Sequence, residues 1–167
     1  MNTKKALRGS TFAILGDSYS TFKGWIPEEN ACYYPNPGMV DDVLAVEHTW
    51  WHRLMTRQDM RLLFNDSYSG STVCTHVRDH HPASASFVWR AEAFFSGLKD
   101  KKEQPDYIFV FGGTNDSWID REPGKLQFAD WTPEDLRQVL PAYTIMIIRV
   151  VKIFFCIILL CILATSS

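Results

Sequence analysis

Three short turns contain the residues of this chain that could carry out chemistry. The first, Gly16–Ser18, places a hydroxyl group directly after the apolar run 12–15. The second is Asn65–Gly70 and the third is Gly113–Asp116. A serine hydroxyl can act as a nucleophile in acyl transfer, and backbone N–H groups or a side-chain amide can stabilise the anion that such a reaction forms. The types of residue in these turns therefore favour an acyl-transfer site.

Each turn follows a stretch that predicts a buried β-strand. These strands are expected at 11–15, 61–64 and 107–111, and the last is a continuous apolar run, typical of a strand that is buried on both faces. Patterns typical of helices separate them, one over 49–57 with Thr49 as its cap and one over 84–98. Strands that alternate with helices predict an α/β domain with a parallel sheet. The turns then share one edge of the sheet, which is where ligands bind.

The three turns, in this order and each after an apolar run, resemble those of the SGNH, or GDSL, hydrolase family of esterases and lipases. The resemblance covers roughly residues 10–143. It implies a three-layer α/β/α sandwich with a flavodoxin-like parallel sheet. It also implies that Ser18 attacks the ester carbonyl. The backbone N–H of Ser18, the backbone N–H of Gly70 and the side-chain amide of Asn115 would form the oxyanion hole. The reaction would be ester hydrolysis through an acyl-serine intermediate, with no cofactor.

The chain departs from the family at its fourth motif. In the family an Asp-x-x-His block near the C-terminus supplies the general base and the acid that orients it. No Asp of this chain has a His three residues later. The histidines all precede the third turn: His48, His52, His76, His80 and His81. Because a serine hydroxyl without a base is a poor nucleophile at neutral pH, we expect weak activity or none.

The composition of the chain changes after residue 144. Thr132–Asp135 predicts the start of a helix that continues to Tyr143, whereas residues 145–167 are almost wholly apolar. We therefore expect a hydrolase-like domain at 1–144 and an apolar segment at 145–167. Three interpretations of this segment remain open. In the first, the segment is a fourth buried strand, and the last strand or strands and a helix are missing after it. In the second, it is a membrane anchor that charged residues interrupt. In the third, it is frame-shifted sequence.

Side chains near the turns are candidate contacts for a substrate. We select Asp17, Tyr19 and Trp118 for this role, although bracing of the loop or packing explains each of them as well. The aromatic loop 19–40 and the six tryptophans favour a small-molecule or carbohydrate ester, with acetylated sugars as the first choice. A domain that binds glycans or esters without cleaving them is one alternative, and a membrane-anchored degenerate hydrolase is another.

Composition and charge argue against several classes of partner. The net charge of -2 offers no basic surface for nucleic acid. The four cysteines have no metal-ligand spacing, and the two histidine pairs with four-residue spacing have no third ligand nearby, so no metal is expected. The apolar run near the N-terminus is too short for a signal peptide, which predicts a cytoplasmic protein. A secreted origin would require a leader sequence that is missing here. Contact with a membrane would have to be made by residues 145–167.

Overall fold

The computed structural model describes residues 7–38, 43–76, 81–99, 102–119, 122–153 and 157–162. Four strands alternate with helices along these ranges. The strands are β1 (Thr11–Gly16), β2 (Arg61–Ser67), β3 (Tyr107–Gly112) and β4 (Ile157–Ile162). The α-helices are α1 (Trp50–Gln58), α2 (Phe87–Lys99), α3 (Thr114–Trp118) and α4 (Val139–Ile153).

The strands form one parallel sheet in the order β2-β1-β3-β4. Gly16, the last residue of β1, is in register with Ser67 of β2 on one side and with Phe111 of β3 on the other. The carboxyl ends of these three strands therefore lie side by side. The expected α/β architecture with a parallel sheet is confirmed, and its first three strands lie close to their predicted positions.

Alternating side chains of β1 enter two separate cores, one on each face of the sheet. Ala13 and Leu15 point to the face covered by α2 and α4, whereas Phe12 and Ile14 point to the face covered by α1. All four side chains are fully buried. Because successive side chains of a strand point to opposite faces, this burial places β1 in the central layer of a three-layer arrangement.

Helix α1 begins and ends as its sequence predicts. The Thr49 hydroxyl accepts a hydrogen bond from the His52 amide at 3.3 Å, which caps the first turn. Asp59 adopts the left-handed conformation after the last turn, with φ 53°. Trp51 is the fully buried anchor of this helix, and its indole N–H donates to the Ser20 carbonyl at 3.0 Å. The helix is thereby tied to the turn that contains Ser18.

Helices α2 and α4 begin later than their sequence patterns predict. Residues 83–85 form a 3₁₀ turn, and α2 starts at Phe87, whose amide donates to the Thr72 carbonyl at 2.8 Å. In the same way, Thr132 and Asp135 hydrogen-bond to each other at the start of a 3₁₀ turn, Asp135–Arg137, and not at the start of α4. The chain is extended at the next residue, and α4 starts at Val139. Pro141 lies in the first turn of α4, where a missing N–H has no consequence.

Helix α4 and strand β4 contain the described part of the apolar C-terminal segment. The helix runs from Val139 to Ile153, so the predicted boundary between residues 144 and 145 lies inside it. After it, β4 pairs with β3 along its whole length, from Tyr107 opposite Ile157 to Gly112 opposite Ile162. Within the described ranges, no helix is both long enough and apolar enough to cross a membrane.

Candidate active site

The first turn holds Ser18 at the carboxyl end of β1. Ser18 is half-buried and begins a 3₁₀ turn, Ser18–Ser20. The Asp17 carboxylate caps this turn by accepting the Tyr19 amide at 3.1 Å, and the Asp17 amide donates to the Phe111 carbonyl at 3.1 Å. On the other side, the Thr21 amide and hydroxyl both donate to the Ser18 carbonyl, at 3.1 and 2.8 Å. The backbone of Ser18 is therefore fixed from both directions.

The second turn is bonded directly to the first. The Tyr68 amide donates to the Gly16 carbonyl at 3.0 Å. The Asn65 side chain donates to the Ser20 carbonyl at 2.9 Å and accepts the Ser67 hydroxyl at 2.6 Å. Asn65 thus closes its own turn and also binds the Ser18–Ser20 turn. Gly70 follows in a buried position with φ +80°, a conformation that favours glycine.

The third turn binds the residues that follow Gly70. Asn115 is 1% exposed, and its side-chain amide donates to the Ser71 carbonyl at 2.9 Å. The neighbouring Asp116 accepts the amides of Val73 and Cys74 at 2.8 and 3.1 Å. Asp116 thus braces the segment that follows the second turn. Together these contacts bring Gly70 and Asn115 to the same part of the rim.

Burial changes the acidity of the two aspartates in these turns. Desolvation raises the pKa of Asp17 to about 7, and the Tyr19 amide and the charge of Arg90 oppose this rise. Among the residues that the structure describes, Asp17 Oδ2 has no hydrogen-bond partner. Burial also raises the pKa of Asp116, against the effect of the two amides that it accepts. Both carboxyl groups are therefore easier to protonate than exposed aspartates.

Arg90, the fourth residue of α2, connects the turns that follow β1 and β2 through one side chain. Its guanidinium donates to the Gly16 carbonyl at 3.0 Å, to the Ser71 hydroxyl at 3.2 Å and to the Asp66 carbonyl. The Asp66 carboxylate lies 3.3 Å away, and burial lowers the pKa of Arg90 against the effect of this partner. The role of Arg90 was not predicted from the sequence. A signal was present, because an arginine shares the apolar face of the predicted helix with Phe87 and Phe94.

His81 lies against the second turn. A Cβ at residue 70 would collide with the His81 imidazole, and Nε2 would be the nearest atom. The ring of Tyr68 contacts the same imidazole edge-on, with centroids 5.8 Å apart. His80 lies outside the described residues. Within those ranges, no three His, Cys, Asp or Glu side chains lie together in a way that could hold a metal ion.

The three residues predicted to contact a substrate differ in their exposure to solvent. Asp17 is fully buried, whereas Tyr19 is 39% and Trp118 is 62% exposed. Tyr19 packs edge-on against Phe111 and borders a cavity of about 850 Å³ between α1 and β3. The apolar lining of this cavity includes Trp50, Leu54, Phe109 and Phe111, and its polar lining includes Arg53 and Arg57.

Comparison with known proteins finds one family and several related structures. The model of the GDSL-like lipase/acylhydrolase family matches residues 10–166. A crystal structure of a Bacteroides ovatus protein named as a GDSL-like lipase is 33% identical and superposes with a TM-score of 0.80, over 95% of this chain and 75% of that one. Its counterpart from Bacteroides uniformis is 36% identical, with a TM-score of 0.81 over 95% of this chain and 73% of that one.

A more distant structure shares the fold alone. This Lactobacillus plantarum protein is 19% identical, with a TM-score of 0.56 over 92% of this chain and 55% of that one. No curated protein sequence matches the chain at a significant level.

Proposed function

Because this chain belongs to the family of GDSL-like lipases and acylhydrolases, we propose that it is a serine ester hydrolase with Ser18 as its nucleophile. The observation that supports this assignment best is the bond from the Asn115 amide to the Ser71 carbonyl at 2.9 Å. Because Ser71 directly follows Gly70, this bond supports a site in which the Asn115 amide lies near Gly70, at the sheet edge where β1 ends in Gly16. In the proposed site, the three turns supply a hydroxyl group, a backbone amide and a carboxamide.

The proposed reaction proceeds through an acyl-serine intermediate. Ser18 Oγ attacks the ester carbonyl, and negative charge develops on the carbonyl oxygen. The backbone N–H groups of Ser18 and Gly70 and the side-chain amide of Asn115 stabilise this oxygen. An amide has two N–H donors, so Asn115 can keep its bond to Ser71 with one and bind the oxyanion with the other. Donors that are already fixed before the reaction need no reorganisation during it.

The proposed substrates are small acyl esters, with acetylated carbohydrates as the first class to test. The aromatic side chains of the loop after Ser18 motivate this choice, because flat rings pack well against sugar rings. Asn30 fixes this loop to the second turn by donating to the Asp66 carboxylate at 2.9 Å and to the Ser67 carbonyl at 3.1 Å. A substrate bound near Asn30 would therefore lie beside the second turn. Acetylated xylans and p-nitrophenyl esters of increasing acyl length test the choice, and a preference for long acyl chains would contradict it.

The assignment of the nucleophile is tested with Ser18→Ala and with Ser96→Ala, which removes an exposed serine of α2, as the matched control. We expect a fluorophosphonate probe to label the unsubstituted chain and Ser96→Ala but not Ser18→Ala. Asn115→Ala should lower the turnover number about 10²–10³-fold, as is typical for the loss of one oxyanion donor. Hydrolysis by Ser18→Ala at the unsubstituted rate would refute the proposed mechanism.

The absence of an Asp-x-x-His sequence favours a second candidate function, a domain that binds acyl esters or acetylated glycans without cleaving them. Calorimetric titration with acetylated xylan oligomers distinguishes the two. Binding without release of acetate would favour the second candidate, whereas release of acetate that Ser18→Ala abolishes would favour the hydrolase.

A further inference from the structure

We propose that Ser71, held by Arg90, is a positioning residue for the oxyanion donors, an inference that rests on the proposed function. Ser71 directly follows Gly70 and is fully buried. Its carbonyl accepts the Asn115 side-chain amide at 2.9 Å, and its hydroxyl accepts Arg90 Nη2 at 3.2 Å. Ser71 does not itself bind the oxyanion. It fixes Gly70 and Asn115, which supply two of the three proposed donors.

Ser71 closes a turn that leaves the Gly70 N–H available. Its amide donates to the Tyr68 carbonyl at 3.2 Å, and Gly70, the third residue of this four-residue turn, has φ +80°. A type II turn requires a positive φ at this position. The hydrogen bond that closes the turn uses the amide of Ser71 and not that of Gly70. A displacement of Ser71 therefore displaces the neighbouring Gly70 donor with it.

The nitrogen that holds the Ser71 hydroxyl also holds the first turn. Arg90 Nη2 donates to the Gly16 carbonyl at 3.0 Å, and Gly16 lies two residues before Ser18. This nitrogen carries two N–H donors, one for each acceptor. Because the guanidinium is planar and rigid, it constrains the position of Ser71 relative to Gly16. The hydroxyl of Ser71 thus connects the second turn to the start of the first.

The orientation of Arg90 does not depend on Ser71. Arg90 Nε donates to the Ala85 carbonyl at 2.9 Å. Nη1 donates to the Asp66 carbonyl and lies 3.3 Å from the Asp66 carboxylate. The side chain of Arg90 is buried, so water competes little for these bonds. Loss of the Ser71 hydroxyl should therefore release the second turn and leave the guanidinium in place.

The expected consequence is a loss of rate rather than of substrate binding. Oxyanion donors are effective because they are fixed, before the reaction, at the position where negative charge develops. Without the Ser71 hydroxyl, the Gly70 N–H and the Asn115 amide are still present, but their positions relative to Ser18 are less fixed. Contacts that a donor makes only in the transition state affect kcat and leave KM unchanged.

The first test compares Ser71→Ala with Ser86→Ala in the hydrolysis of p-nitrophenyl acetate. Ser71→Ala should lower kcat about tenfold, less than the 10²–10³-fold typical for loss of a donor, because the donors are displaced and not removed. KM should stay within about twofold. Ser86 is also fully buried, and within the described residues its hydroxyl has no hydrogen-bond partner, so Ser86→Ala should leave kcat unchanged. Equal kcat in the two variants would overturn the inference.

The second test combines Ser71→Ala with Arg90→Lys. The lysine keeps a positive charge near the Asp66 carboxylate but lacks the planar set of donors, so kcat should fall in this variant too. Because both substitutions remove the same bond, adding Ser71→Ala to Arg90→Lys should lower kcat less than about twofold further. Fully additive losses would show that Ser71 acts without Arg90 and would overturn the proposed coupling. A merely structural role of the two residues predicts no such dependence.

The third test needs no turnover. In the ¹⁵N–¹H spectrum, the side-chain amide signals of Asn115 should shift or broaden in Ser71→Ala. Those of Gln104, which donates to the Leu98 carbonyl at 2.8 Å, should not change. Unchanged Asn115 signals would overturn the inference for an active and for an inactive chain alike.

The outcomes separate this inference from the proposed function. If Ser18→Ala abolishes hydrolysis while Ser71→Ala keeps the unsubstituted kcat, the positioning role is overturned and the hydrolase remains. If the unsubstituted chain neither hydrolyses the ester nor reacts with a fluorophosphonate, the proposed function fails and the positioning role fails with it.

Discussion

Asp17 brings a titratable charge into a buried position one residue before the proposed nucleophile. One carboxylate oxygen binds the Tyr19 amide, and within the described part of the chain the other has no hydrogen-bond partner. With a pKa of about 7, the group is largely protonated at mildly acidic pH and ionised above neutrality. A buried carboxylate with an unpaired oxygen is unfavourable, so the fold is expected to lose stability as the pH rises.

Asp17→Asn removes this charge and should change the dependence of stability on pH. The folded pKa of about 7 lies above the ordinary value of 3.8, so the contribution of Asp17 is fully present below about pH 4 and is lost as the pH rises to 7. Between pH 5 and pH 8, the free energy of unfolding of the variant should therefore rise by about 2–3 kcal/mol relative to the unsubstituted chain. Urea denaturation at both pH values measures this. A pH-independent difference would contradict the raised pKa.

Gly70→Ala should destabilise the protein and disturb the proposed site. The residue has φ +80°, which is unfavourable by about 1–2 kcal/mol for a residue with a Cβ, and the new methyl group would displace His81. Gly97→Ala is the matched control, because Gly97 lies exposed inside α2 with open space around it. That substitution should stabilise the helix by about 0.5–1 kcal/mol. Thermal unfolding distinguishes the two, and equal shifts in Tm would refute the expectation.

At the scale of the elements, helix α2 has two tasks. Its apolar face, with Phe87, Phe94 and Phe95, packs into the core under Ala13 and Leu15. On the same face, Arg90 reaches the carboxyl ends of two strands through the carbonyls of Gly16 and Asp66. Because Arg90 is 8% exposed, its charge is compensated inside the protein by these carbonyls and by the Asp66 carboxylate. The helix thus packs the core and fixes the rim at the same time.

Arg90→Met should be strongly destabilising because it leaves the mostly buried Asp66 carboxylate without its cationic partner and removes one of the two donors to the Gly16 carbonyl. Removing one member of a buried ion pair typically lowers stability by about 3–5 kcal/mol. Arg61→Met is the control, since Arg61 pairs with Glu103 at an exposed position where the loss should stay below about 1 kcal/mol. Denaturation in urea measures both values. Similar losses in the two variants would show that the contacts of Arg90 contribute little.

The sequence predicts the strands and their turns well because both depend on neighbouring residues. An apolar run before Gly16 is a local pattern, and so is the cap at Thr49. Two other contacts are not local: the hydrogen bond from Asn65 to the Ser20 carbonyl, and the contact of His81 with Gly70. Both join residues from different segments of the chain, so they depend on the tertiary fold. A pattern shows which face of a helix is apolar but does not show what Arg90 will bind. The start of α4 was also predicted wrongly, because Thr132–Asp135 looks like a helix cap and forms only a 3₁₀ turn.

At the scale of the whole molecule, the two faces of the sheet are covered unequally. Ile108 and Val110 of β3 are buried under α2 and α4, whereas Phe109 and Phe111 on the opposite face are only partly buried and border the cavity beside α1. Its volume of about 850 Å³ is in the range of small-molecule sites. The face covered by α1 is therefore the more accessible of the two.

The cavity beside α1 should bind an apolar anionic dye such as anilinonaphthalene sulfonate in the native state. Its apolar lining suits the rings, and the side chains of Arg53 and Arg57 suit the sulfonate group. Leu54→Gln should lower the fluorescence enhancement several-fold because it places an amide in the lining. Leu126→Gln, at a residue that is 62% exposed and is not part of this cavity, should leave the enhancement unchanged. Equal enhancement in the two variants would place the dye elsewhere.

The double attachment of α2 makes this helix a mechanical link between interior and rim. The phenylalanines of this helix pack in the core, and its Arg90 side chain binds the ends of two strands. A shift of the helix would therefore move both the core and the strand ends. Replacing a buried ring with a smaller side chain, for example with Phe95→Leu, should thus change the activity of the distant proposed site. Any shift of α2 that fills the space would be transmitted through Arg90 to the turns at the edge of the sheet. Directed evolution of this protein would accordingly find variants with changed activity among interior positions that no ligand touches.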